Sequence, residues 1–92
     1  MYAVLTDVSI APGQFEGAQK VLKEQIVPRA KQAQGFVKGY WTVRDDSRQG
    51  TSMTVYQTKQ DAENAVTMIR TTPPPPGVTI NSLEVRQIVA DA

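Results

Sequence analysis

The spacing of apolar residues changes period along this chain, and that switching constrains the fold more than any other feature. Residues 2–10, "YAVLTDVSI", are rich in Val, Ile, Leu and Thr and read as a strand. "APG" at 11–13 breaks it. Over 14–34, Phe15, Ala18, Leu22, Ile26, Ala30 and Ala33 recur at three- and four-residue steps and draw one apolar stripe on a helix. Pro28 interrupts that stretch. It lacks a backbone donor and crowds the preceding turn, so a kink or break is expected near Val27. Gly35 is the expected C-terminal stop. "FVKGYWTVR" (36–44) returns to a strand, "DDSRQG" (45–50) is a polar turn, and "TSMTVYQ" (51–57) is the other arm of a hairpin. "TKQD" (58–61) offers a Thr cap with an acid three residues on, the signature of a helix start. Ala62, Ala65, Val66 and Ile69 form a second, shorter stripe, which "TTPPPPG" (71–77) ends. "VTINSLEVRQIV" (78–89) is the last strand.

The resulting order is β-α-β-β-α-β in a single domain, residues 1–92. It predicts an α+β fold of ferredoxin-like type: an antiparallel four-stranded sheet with two helices on one face.

Several function classes are disfavoured by composition. The chain has no Cys and no His, so it has no disulfide, no thiolate metal site and no imidazole base. No metal is expected. The 10 basic and 9 acidic side chains are scattered, without the basic stripe of a nucleic-acid binder. The N-terminus lacks a positively charged leader and no apolar run approaches a membrane span, so neither membrane nor nucleic acid is an expected partner, and the cytoplasm is the expected location. A domain this small buries a modest share of its surface and often needs a disulfide, a metal or a partner subunit. Self-association is the remaining aid.

The sheet points the same way. Tyr2, Val4, Thr6, Val8 and Ile10 alternate with Ala3, Leu5, Asp7 and Ser9, and neither set is a charged solvent face. With a loop at 45–50, Arg44 would pair with Thr51, Val43 with Ser52, Trp41 with Thr54 and Gly39 with Tyr56. Tyr56 would then cover the bare backbone of Gly39. Tyr40, Thr42, Met53 and Val55 would share the other face. Two helices cannot cover both faces, so the second is expected to meet a second copy in a two-fold dimer. Tyr40 is placed under the helices and Trp41 between the sheet and its partner.

"PG" after the first strand, "GFVKGYW" on the second and "VYQTKQDAENA" leading from the third into the second helix resemble the antibiotic-biosynthesis-monooxygenase-like family of the dimeric α+β barrel superfamily. The resemblance spans nearly the whole chain and lies in layout, since these motifs mark turns and caps. It implies a homodimeric barrel with an aromatic-lined cavity between the sheets. It also implies a cofactor-independent monooxygenase acting on a small aromatic or quinol-like substrate. Haem-degrading members use an Asn on strand one, a Trp ending strand three and a His on helix two. Those positions fall on Thr6, Tyr56 and near Val66, and none of the three residues is retained. Haem degradation is therefore disfavoured.

Thr6, Trp41, Thr54 and Tyr56 are the candidate ligand-binding residues. No catalytic residue is assigned, because neither a phenol nor a threonine hydroxyl is an ordinary base near neutral pH. Trp41 can stack on a flat ligand or anchor a dimer core, and the Tyr56 hydroxyl can orient a ligand or satisfy the backbone. The alternative function is a non-catalytic dimeric ligand-binding or structural module of the same fold. Asp45 and Asp46 read as a solvated turn, and the arginines as solvated. The four prolines read as a rigid connector that sets where the last strand enters the sheet.

Overall fold

The structure, a computed structural model, describes all residues from Met1 to Ala92. Strands β1 (Tyr2–Ile10), β2 (Phe36–Val43), β3 (Gln49–Tyr56) and β4 (Val78–Gln87) form one antiparallel sheet in the order β2-β3-β1-β4. A helix in three parts joins β1 to β2: α1 (Phe15–Val21), a π-helical turn (Leu22–Ile26) and α2 (Val27–Lys31). Helix α3 (Lys59–Thr71) joins β3 to β4. This is the expected ferredoxin-like α+β arrangement. No helix is long and apolar enough to cross a membrane.

Pro28 does not break the first helix. Val27 keeps helical angles, and its N–H bonds the Leu22 carbonyl five residues back. The π turn inserts one residue into the ladder just before the proline. That extra residue relieves the ring's crowding of the preceding turn, so helical bonding continues past Pro28, and the irregularity expected near Val27 takes the form of the π turn. The chain leaves α2 through a turn at Gly35, whose φ of 76° is costly for other residues. A Cβ there would collide with the Asp61 carboxylate, so this turn is also fitted against the start of α3. At that start the Asp61 N–H donates to Thr58 Oγ1 at 3.1 Å, as the cap motif predicts.

The hairpin is offset from its expected pairing. Val43 pairs with Gly50, Trp41 with Ser52 and Gly39 with Thr54. Asp46 gathers the loop by accepting from Arg44 Nη2 at 2.5 Å and from the Arg48 N–H at 3.0 Å, and Ser47 takes a φ of 57°. The Arg44 N–H then reaches the Gln49 carbonyl at 2.9 Å, so β3 begins two residues earlier than the polar run suggests. A shift of two leaves every residue on its own face. Beside Tyr56, a bulge at Val37 keeps Phe36 on the face of Gly39 and Trp41, while Val37 and Lys38 border the opposite one.

The core is small and sits under α3. Val4, Tyr56, Ala62 and Ala65 are buried together, with Phe36, Ile69 and Val85 packed around them. The Phe36 ring meets Tyr56 edge-on at 5.9 Å and 74°. Because α3 lands on Val4 and Tyr56, their face is the helix face, and Thr6, Thr54 and Trp41 belong to it. Tyr40 and Met53 lie on the other face, 55% and 39% exposed. The expected placement of Trp41 and Tyr40 is thus reversed. Both alternations of these strands carry apolar side chains, so the strand pattern identifies the two sets without saying which one the helices cover.

The prolines lead into Gly77 (φ 80°), whose carbonyl accepts from the Ala11 N–H at 2.8 Å. A Cβ on Gly77 would lie 2.5 Å from Gln14 Cγ, so the connector is seated on the turn after β1. That contact fixes the entry of β4 beside the end of β1. At the other end of β4, the Ile88 N–H bonds the Met1 carbonyl at 2.9 Å.

Candidate functional site

A cavity of about 610 Å³ lies between the sheet and the first helix. Its floor carries Thr6 from β1, Trp41 from β2, and Thr54 and Tyr56 from β3. All four candidates from the sequence therefore converge. They do so beneath the helices of one chain, and not between two sheets as expected.

The cavity follows from the sizes of the side chains that meet there. Gly50, Ser52, Thr54 and Thr6 supply little volume from the sheet. Phe15, Leu22 and Ile26 face them from the helix, each only half-buried. No residue of α1, the π turn or α2 is buried. Pro73, Pro74 and Pro75 border the same space, so the connector is a wall of the site as well as a spacer.

The Trp41 indole lies across Gly39. A Cβ on Gly39 would come within 2.9 Å of Trp41 Cη2 and 3.0 Å of Thr54 Cγ2. Trp41, and not Tyr56, covers the bare backbone, because the true register brings Phe36 opposite Tyr56. Gly39 thereby leaves room for the indole beside the strand backbone, where Trp41 lines the cavity.

The polar groups of the floor are deeply set. Thr6 is 9% exposed, Thr54 6% and Tyr56 2%. Their hydroxyls and the Trp41 indole N–H take no part in the side-chain hydrogen bonds of the protein, which lie elsewhere: in the β2–β3 loop, along α3 and between other residues of neighbouring strands. No side-chain polar atom is sealed from solvent without a partner. These polar atoms therefore keep some access to solvent, and the residues that carry them line the cavity.

Charge on the lining has one sign. Lys23 and Arg29, exposed on the first helix, are the only charged side chains bordering the cavity. Neither is among the ion pairs, which are Arg44–Asp46 and Arg86–Glu84 on the surface. The Arg44–Asp46 pair also carries the perturbed titrations. A side-chain hydrogen bond between them, with their mutual attraction, raises Arg44 above its ordinary value. The same bond, then that from the Arg48 N–H, lowers Asp46. Both groups sit in the hairpin loop, where the sequence placed a solvated turn, so they stabilise the loop and do not mark a reaction centre. No three His, Cys, Asp or Glu side chains come together as a metal site.

The contribution of the first helix escaped sequence reasoning. Its apolar stripe was visible, but a stripe that packs and one that roofs a hollow have the same spacing. Lys23 and Arg29 look like any solvated basic residue until the helix is placed.

No protein-family model matches this chain, and no curated protein sequence matches it.

Proposed function

We propose that this chain is a homodimeric small-molecule-binding protein whose cavity takes a small aromatic or quinol-like ligand. The observation that carries this reading is a cavity of about 610 Å³ lined by Trp41 and by the buried Thr6, Thr54 and Tyr56, whose hydroxyls have no side-chain hydrogen bond within the protein. Ligand pockets commonly fall between about 300 and 1,000 Å³, with mostly apolar walls and a few placed polar groups. A purely structural module would close such a space, because protein interiors pack nearly as densely as organic crystals. The volume therefore favours ligand binding over the structural alternative.

The resemblance to antibiotic-biosynthesis-monooxygenase-like proteins supplies the activity to assay, cofactor-independent oxygenation of a quinol-like compound. In that reaction the Tyr56 and Thr54 hydroxyls would orient the phenolic oxygen, and the walls would exclude water. The lining holds no carboxylate or imidazole to remove a proton. Oxygen uptake with hydroquinones, compared between wild type and Tyr56→Phe, tests the reaction: uptake that falls in the variant supports it, and uptake no faster than buffer defeats it. Trp41 fluorescence tests binding. Aromatic ligands should quench it, and a flat response across a broad aromatic panel would favour a structural role.

The dimer rests on the other face of the sheet. Tyr40 and Met53 are exposed there, with Val37 and the half-buried Leu5 nearby. An uncovered antiparallel sheet face is ordinarily polar, and an apolar one marks an interface. A second copy placed face to face would cover it. Sedimentation at micromolar concentration should give the mass of two chains, and Tyr40→Lys with Met53→Lys should give one. A wild-type monomer would refute the dimer without touching the cavity.

A further inference from the structure

The geometry points to an anionic ligand: a small acid with an apolar body, its carboxylate at the cavity mouth beside Lys23 and Arg29, and a hydroxyl or carbonyl oxygen at the inner end against Tyr56 and Thr54. The inference rests on the binding reading above and narrows the ligand class.

Two independent features carry it. The first is the sign of the lining charge. Lys23 and Arg29 border the cavity, while no Asp or Glu does, although Glu16 and Glu24 belong to the same helix. The chain as a whole is nearly neutral, with a formal net charge of +1. The positive character is therefore a property of the lining, carried by its two exposed cations. Two cations without carboxylate partners, at the lip of an apolar hollow, attract an anion more strongly than the same charges on an open surface, because low-dielectric walls focus their field. The second feature is depth. The cations are exposed, and the residues that carry the neutral hydroxyls are at least nine-tenths buried. A ligand that satisfies both must be polar at two ends and apolar between. A cationic ligand would meet no counter-charge, and an entirely apolar one would leave the inner hydroxyls unpaired.

The test uses three naphthalene probes that share one apolar body: 2-naphthoate, 2-naphthalenemethanol and 6-hydroxy-2-naphthoate. Calorimetric titration of the dimer or monomer as purified should show 2-naphthoate binding about fivefold more tightly than the neutral alcohol, a preference that added salt weakens. Lys23→Gln combined with Arg29→Gln should erase the preference while leaving the affinity for the alcohol unchanged. Lys20→Gln, a neighbouring cation off the lining, should keep it. The hydroxynaphthoate should bind more tightly still, and Tyr56→Phe should remove that last gain alone. Equal affinity for the acid and the alcohol, or a preference that survives the double substitution, overturns the anionic assignment and leaves binding intact. Failure of all three probes to bind overturns both. All these positions other than Tyr56 are exposed, and Tyr56→Phe keeps the ring, so the variants should fold; circular dichroism checks this.

Discussion

Two helices cover the same face of one sheet, yet one makes a core and the other a cavity. Helix α3 buries Ala62 and Ala65 against Val4 and Tyr56. The helix from Phe15 to Lys31 buries no residue fully, although its stripe holds larger residues. Small side chains let α3 come close enough to exclude solvent. Large side chains over a floor of Gly, Ser and Thr leave the other helix propped away. The difference shows that a longer apolar stripe need not mean a better-packed helix. What counts is whether the two surfaces fill each other.

The contrast breaks most readily at matched alanines. Ala62→Leu should destabilise by about 1–3 kcal/mol, because α3 has no room for it. Ala18→Leu, on the roof of the cavity, should change stability by no more than about 0.5 kcal/mol. Urea midpoints of the two variants measure this, and equal losses would mean that the first helix is as tightly seated as α3.

Hydrogen exchange sharpens the same point without mutation. Amides of α3 should exchange roughly tenfold more slowly than those of α1 and the π turn, since the latter lack buried contacts. Saturating ligand should slow the first helix selectively.

Smaller effects are expected from backbone and cap changes. Thr58→Ala removes the bond to the Asp61 N–H and should cost about 1 kcal/mol. Gly17→Ala, in α1, meets nothing within 4 Å and should stabilise by about 0.5–1 kcal/mol. The smallest effect belongs to the hairpin loop, remote from both helices. The Arg44 hydrogen bond and the Arg48 N–H hold Asp46 below the ordinary carboxylate range. A lowered folded-state pKa gives a contribution that is present above the unfolded value, near 4, and is lost as pH falls through the folded value. Both side chains are exposed, so Asp46→Asn should slightly flatten the acid limb of the stability profile and barely move the midpoint at pH 7.

Much of the fold was legible because its signals are local. The switch of period marked the elements, Thr58 announced α3, and Gly35 ended the segment before β2. The alternation of side chains grouped Trp41 with Thr54 and Tyr56, and that grouping survived a two-residue error in the hairpin because the period of a strand is two. The error itself came from the Asp46 side chain, which draws Arg44 and Arg48 into a shorter loop than the run of polar residues suggests. The π turn was equally hidden. Pro28 signals strain, but whether a helix breaks or absorbs it depends on what packs beside it.

Read alone, the sequence determined the order of elements, the cap and turn residues, and the grouping of Trp41, Thr54 and Tyr56 on one face of the hairpin, since each depends on neighbours along the chain or on strand parity. Only the tertiary structure decided that the helices descend on the face of Trp41, that Tyr40 looks outward, and that the first helix stands off to leave a space bordered by the exposed Lys23 and Arg29. Those outcomes depend on how surfaces far apart in the chain fit in volume, and spacing carries no volume.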